Sequence, residues 1–331
     1  MFNLTRRRAI SGTIRAVAGA IVSLAVASTA LTATSQAALA DDFPTKPIKV
    51  IVPYKPGGRT DVVARMIADK IQQKGWLEQP LVIVNADGGA GANAFGQLKR
   101  GGNDGYTIMH WSHELLLSVA MGLGGFQLDD FKSIGFTGGG SPLWAVREDA
   151  PYKTLNELID HLKKEPRSLV EAVAIGSIPH IVGAMLEKSA GVETRYVTAN
   201  SNADRLRLLL GGNADIALFA ASEFMRQGEN LRPLVYFGNE RLAALPDLPT
   251  AKELGYDASW ANPNWWLAPA GTPDDVVKKI AGALEKAIND PEIAEYFKNN
   301  TLEPYWTGGD EAMDQSVAML ASLKSITDTL K

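Results

Sequence analysis

The stretch Ile48–Asp61 reads IKVIVPYKPGGRTD, and it narrows the possible folds more than any other segment. Ile48, Val50, Ile51 and Val52 are β-branched and suit a buried strand. Pro53 and the Pro56-Gly57-Gly58 turn stop that strand. Beyond the turn, Thr60 and Asp61 suit a helix start, and Val63, Met66, Ile67 and Ile71 follow at helical spacing. The element is strand, Gly-rich turn, helix. Such a turn aims backbone N–H groups at an anion, and the helix dipole adds to the attraction. It is expected to hold a carboxylate; the same residues also suit a tight strand-to-helix connection with no ligand.

The pattern recurs. Leu81–Val84 reads as a second buried strand, running into the Gly-rich turn Asn85–Asn93 and a short helix to Leu98. Gly89-x-Gly91-x-x-Ala94 formally fits a dinucleotide fingerprint. That fingerprint belongs after the first strand of its unit, with an acid closing the next strand, and here the next strand ends in His110 and Trp111. No cofactor is therefore expected. Further strands are predicted at 133–136, 144–146, 169–175, 194–197, 216–220, 234–237 and 262–269. Helix starts are read at Thr154–Glu157 and Thr250–Glu253, both capping boxes, and at Thr272-Pro273-Asp274-Asp275. A last helix over 310–330 sets Met313, Val317, Leu320 and Leu323 on one packing face. Gly138-Gly139-Gly140 reads as a turn where the chain changes lobe. The β-α-β-α order predicts an α/β fold with mixed, mainly parallel sheets flanked by helices.

The first 40 residues read as a cleaved export signal: Arg6, Arg7, Arg8 and Arg15 are their only charges, a weakly apolar run follows, and Ala38-Leu39-Ala40 is a small-x-small cleavage site. Thr5–Ile10 partly fits a twin-arginine signal, and an ordinary basic n-region is the alternative. Without the leader, 29 basic residues face 37 acidic ones, a net charge near −8, which argues against nucleic acid or an anionic membrane surface as partner. There is no cysteine, so disulfides, thiolate catalysis and Cys-ligated metal are excluded. The remaining 291 residues can bury a sizeable core as two lobes, and contain no second run long enough to span a bilayer.

Several landmarks together resemble the receptor family of tripartite tricarboxylate transporters, the TctC or Bug proteins. They are Lys46-Pro47-Ile48, the turn Pro53–Asp61 with Arg65, Gly89-Ala90-Gly91 with Asn93, Asp104–Thr107, Leu210-Gly211-Gly212 with Asp215, Leu245–Thr250, and Ala268–Pro273. The resemblance implies a two-lobed periplasmic binding-protein fold of type II, with the ligand in a hinged cleft. It implies lobes over 41–141 with 263–331, and over 142–262. It also implies a monomeric periplasmic receptor that takes a small organic acid (di- or tricarboxylate, acidic amino acid or aromatic acid) and passes it to integral membrane transporter subunits. Four segments depart from the family pattern: Lys55 and Arg59 in the first turn, Ala86-Asp87-Gly88 in the second, Tyr196-Val197-Thr198-Ala199-Asn200, and Trp265-Trp266.

Backbone N–H groups of Gly57, Gly58, Gly89, Ala90 and Gly91 are the expected carboxylate holders, because glycine permits close approach. Tyr54, Thr60 and Asn93 are the nearest donor side chains; Asp61 is expected to cap the helix, and Lys55 and Arg59 to face solvent. Ser177, His180, Asn200, Ser201 and Ser222 lie at or just past strand ends, where ligands of open α/β sheets sit. Trp144, Trp265 and Trp266 suit either a cleft wall or the core. An enzymatic reading rests on Ser177, His180 and Asp215 as a triad, or on His110, His113 and Glu114 as metal ligands. Neither has the expected spacing, so no enzyme and no metal is expected. A sensory role, with the ligand presented to a signalling partner, is a further alternative.

Overall fold

The computed structural model describes residues 43–327. The expected export leader and its expected cleavage site lie outside the described residues. All elements below belong to the unit Lys46–Lys331. In chain order they are β1 (Ile48–Val52), α1 (Arg59–Lys74), β2 (Leu81–Asn85), α2 (Ala92–Arg100), β3 (Thr107–Trp111), α3 (Glu114–Ala120) and β4 (Phe131–Gly140). Then follow β5 (Pro142–Arg147), α4 (Leu155–Lys164), β6 (Val170–Val173), α5 (Ile178–Ala190), β7 (Arg195–Thr198), α6 (Asn202–Leu210), β8 (Ile216–Ala220), α7 (Ala221–Gln227) and β9 (Leu231–Tyr236). The chain closes with β10 (Asn262–Pro269), α8 (Asp274–Ile288), α9 (Pro291–Asn299), β11 (Glu303–Gly308) and α10 (Gly309–Thr327).

Two mixed sheets result. The first has the order β11-β4-β10-β3-β1-β2 and the second β7-β6-β8-β5-β9. β1 runs parallel to both β2 and β3, and its Ile48, Val50, Ile51 and Val52 are fully buried, which is why the strand lacks alternation. The sheets are less parallel than expected: β10 is antiparallel to β3 and β4, β11 is antiparallel to β4, and β5 is antiparallel to β8 and β9. Only β1, β2 and β3 in the first sheet and β6, β7 and β8 in the second pair in parallel. Strands that leave one sheet for the other account for this, because β4 to β5 and β9 to β10 return without a crossover helix.

Four sequence readings change. Gly138–Gly140 is strand, not turn: a Cβ at Gly138 would lie 2.4 Å from the Glu303 carbonyl oxygen, and one at Gly139 2.8 Å from Pro263 Cα. Glycine there lets β10 and β11 approach β4. The Thr250–Glu253 capping box forms, with Glu253 N–H on Thr250 Oγ1 at 3.1 Å and Thr250 N–H on Glu253 Oε2 at 2.8 Å. It opens a single turn that Gly255 ends at φ +85°, not a helix. Val317 is 53% exposed and leaves the packing face of α10, where Leu320 and Leu323 stay buried. Helices α3 and α7 and strand β11 were not foreseen. No described helix is long and apolar enough to cross a membrane.

Candidate functional site

The first Gly-rich turn is held by its own helix. Gly57 adopts φ +87°, and its N–H donates to Asp61 Oδ2 at 2.9 Å. Asp61 is 2% exposed and also accepts from Arg65, with Nη2 at 2.9 Å, and from Asn85 Nδ2 at 2.9 Å. The Gly57 amide is therefore taken by a protein carboxylate and is not available to a ligand, which corrects its place in the expected site. Burial raises the Asp61 pKa, but Arg65, the Gly57 N–H and Asn85 outweigh it and hold the carboxyl below its ordinary value. Asn85 also donates to the Tyr54 carbonyl at 3.0 Å, so the exits of β1 and β2 are tied together. Gly58 is exposed, and Thr60 is buried at the start of α1.

The second turn is a run of left-handed residues: Gly88, Gly89, Ala90 and Gly91 have φ +103°, +61°, +51° and +93°. Gly91 must be glycine, since a Cβ there would fall 1.8 Å from Trp111 Cη2. Its N–H returns to the Gly88 carbonyl at 3.2 Å, and Asn93 Nδ2 donates to the Asp87 carbonyl at 2.8 Å, so both serve the turn itself. Gly89 and Ala90 remain exposed. The two turns are neighbours through Trp111, which packs on Gly91 and whose Nε1 donates to the Tyr54 hydroxyl at 3.1 Å. That hydroxyl donates in turn to Glu114 Oε2 at 2.6 Å, and burial and Glu114 together raise the Tyr54 pKa well above its ordinary value.

Between the two sheets, past the carboxyl ends of their parallel strands, lies a cavity of about 280 Å³. Arg59 and Glu114 line it from the first sheet's side, Asn202, Arg205 and Ser222 from the second's, with Ser141, Trp260 and Asn262 between. Arg59 does not face solvent as expected. Its Nη2 donates to the Asn262 carbonyl at 3.3 Å, and burial lowers its pKa against the pull of Glu114. Arg205 is 9% exposed; it donates through Nη2 to Asn202 Oδ1, and burial lowers its pKa too. Both stay cationic at neutral pH. Wider hollows of about 630 and 860 Å³ lie beside α4 and α9, away from the residues that follow the parallel strands.

The other expected residues divide. Ser222 lines the cavity. Ser201 is the N-cap of α6: its Oγ accepts the Asp204 N–H at 3.1 Å and donates to Asp204 Oδ2 at 2.8 Å. Asn200 is exposed. Ser177 Oγ donates to the Ala174 carbonyl at 2.5 Å, and His180 Nδ1 accepts the Gly176 N–H at 3.0 Å, so both serve the loop that leads into α5. Ser177 and His180 are thus bonded to the backbone and not to each other, and Asp215 accepts the Val170 N–H at 2.8 Å. His110 and His113 are buried among aromatic rings, which pushes them down to about 3 and about 4. Among the described residues no group of His, Asp or Glu is placed to hold a metal. Trp144, Trp265 and Trp266 belong to the core; their indole N–H groups donate to Glu171, Ser133 and Thr137 at 2.8, 2.9 and 2.8 Å.

Sequence reasoning missed Arg205, Asn202, Trp260 and Asn262. One signal was present: Arg59 opens α1 and Arg205 sits near the start of α6, where a cation opposes the helix dipole. Both cations stand in that unfavourable position, each just past a parallel strand, and both line the cavity.

Comparison with known proteins gives the family and the fold. The sequence matches the family described as "Tripartite tricarboxylate transporter family receptor" over residues 63–328. It is 32% identical to a UPF0065 protein of Bordetella pertussis over 288 residues, 84% of this chain and 88% of the relative. The structure resembles a TctC solute binding protein from Polaromonas (TM-score 0.79, 25% identity, 87% of this chain and 99% of that one). It also resembles the periplasmic binding protein BugD (TM-score 0.59, 27% identity, 86% and 95%). Such proteins bind solutes and are not enzymes. The chain belongs to the tripartite tricarboxylate transporter family of receptors.

Proposed function

We propose that the protein is a periplasmic receptor that captures a small organic carboxylate between its two sheets and delivers it, as a monomer, to the integral membrane subunits of a tripartite carrier. One observation carries this reading: a cavity of about 280 Å³ at the carboxyl ends of two sets of parallel strands, lined by Arg59 from the first sheet and Arg205 from the second. Its volume falls near the lower end of small-molecule sites, which span roughly 300–1,000 Å³, and suits a metabolite of a few carbons. A guanidinium matches a carboxylate with two parallel N–H donors. Gly58, Gly89 and Ala90 do not line this cavity; they are exposed at the same end of the first sheet, where their N–H groups are open to a carboxylate that extends beyond it. The two sheets act as lobes, hinged where the chain crosses between them at Gly140–Pro142 and before Asn262.

Calorimetry with mono-, di- and tricarboxylates tests this, screened first by melting temperature; a ligand at a hundred times its Kd stabilises by about 2.7 kcal/mol. Arg59→Gln removes a charge-assisted donor worth about 1.5–3 kcal/mol and should weaken the best ligand about 10- to 100-fold. Gly58→Asp sets a carboxylate at the first turn; a Cβ there meets nothing closer than the Lys55 carbonyl at 3.8 Å, so the fold accepts it. Unchanged affinity in both variants would overturn the reading.

A further inference from the structure

Three polar groups of cavity-lining residues are buried without a hydrogen-bond partner among the described residues: Arg205 Nε, Trp260 Nε1 and Asn262 Oδ1. Buried donors and acceptors are overwhelmingly paired, and leaving one unmade costs its full desolvation. These three belong to different segments that line one cavity, and a ligand there with acceptors for two of them and a donor for the third would pair all three. Trp260 is 1% exposed, with its ring edge-on to His113 at 6.1 Å, so its N–H is held in place. Asn262 is tied to Arg59 through its carbonyl. A fourth lining group, Glu114, accepts the Tyr54 hydroxyl at Oε2 and as a carboxylate offers only acceptors.

Charge and hydrogen bonding point the same way. Arg59, Arg205 and Trp260 are donors and call for carboxylate oxygens. Asn262 Oδ1 and Glu114 are acceptors; a ligand made only of carboxylates would leave the first unpaired and be repelled by the second. We propose that the ligand is a small carboxylic acid that also carries a hydrogen-bond donor, a hydroxyl or an ammonium, near its carboxylate. Arg205 and Trp260 then hold the carboxylate and Asn262 receives the donor. This rests on the cavity being the solute site.

Calorimetry on the whole protein with three matched series tests it: propionate, lactate and alanine; succinate, malate and aspartate; glutarate, 2-hydroxyglutarate and glutamate. Within the series that binds, the hydroxyl or ammonium member should bind at least 10-fold tighter than the unsubstituted acid. Asn262→Ala should bring that ratio toward one, and Trp260→Phe should weaken every member about equally, by about 5-fold or more. Glu114→Gln separates the two donors, weakening an ammonium ligand much more than a hydroxyl ligand. An unsubstituted acid that binds as tightly as its partners, or a ratio that survives Asn262→Ala, overturns the inference and leaves the cavity as a carboxylate site. No binding in any series overturns the cavity reading itself.

Discussion

Asp61→Asn tests how the first Gly-rich turn is built. The two carboxylate oxygens accept from Gly57 N–H on Oδ2, from Asn85 Nδ2 on Oδ1, and from Arg65 Nε on both, with Arg65 Nη2 on Oδ1. An asparagine keeps one acceptor oxygen and turns an NH2 donor toward the other set of donors. Either the Gly57 N–H or the Asn85 amide must then go unpaired, at about 1–3 kcal/mol. The Arg65 side chain is 46% exposed, so the lost ion pair adds only about 0.5 kcal/mol. The expected loss is about 1.5–3.5 kcal/mol at pH 7, read from urea unfolding followed by tryptophan fluorescence. The native Asp61 pKa lies below its unfolded value of about 3.9, so its stabilisation is present above that value and is lost as pH falls through the native one. The difference between wild type and variant should therefore shrink on acidification below about pH 4. A loss under about 0.5 kcal/mol at pH 7, or a difference that grows in acid, would refute the account.

Gly91→Ala combines a left-handed φ with a Cβ 1.8 Å from Trp111 Cη2; it should cost at least about 2 kcal/mol and displace Trp111, seen as a changed near-UV circular dichroism spectrum. Tyr236→Phe removes a hydroxyl that donates to Glu303 Oε1 at 2.9 Å and accepts the Ser141 N–H at 3.3 Å; about 1–3 kcal/mol should be lost in urea unfolding, and a neutral result would show that this link between the sheets is idle. Glu171 is fully buried, and burial together with neighbouring Glu187 raises its pKa well above the ordinary value. The native state then keeps a proton that the unfolded chain gives up above about pH 4.3, so stability falls as pH rises. Glu171→Gln should gain on wild type in melting temperature from pH 4 to pH 8, and a gain independent of pH would refute that assignment.

Local signals carried most of the secondary structure. The buried strand at 48–52, the helix after Thr60 and the capping at Thr154 follow from β-branched runs, turn residues and caps that act within a few positions. Features that depend on distant neighbours were not legible. Gly138–Gly140 looked like a turn because a glycine run carries no sign of the strands that crowd it, Glu303 and Pro263 being far away in sequence. The capping box at Thr250 formed as written, but Gly255 ended it after one turn.

The site divides in the same way. The chain's own sequence determined two Gly-rich corners at strand ends and an absence of cysteine chemistry, because backbone conformation and residue type are local properties. Tertiary structure decided which donors face a ligand. It spent the Gly57 amide on Asp61, drew Trp265 and Trp266 into the core through Ser133 and Thr137, and brought Arg59 and Arg205 to the lining of one cavity. Which group is left unpaired depends on what every neighbour has already taken, and that is known only when the sheets are assembled.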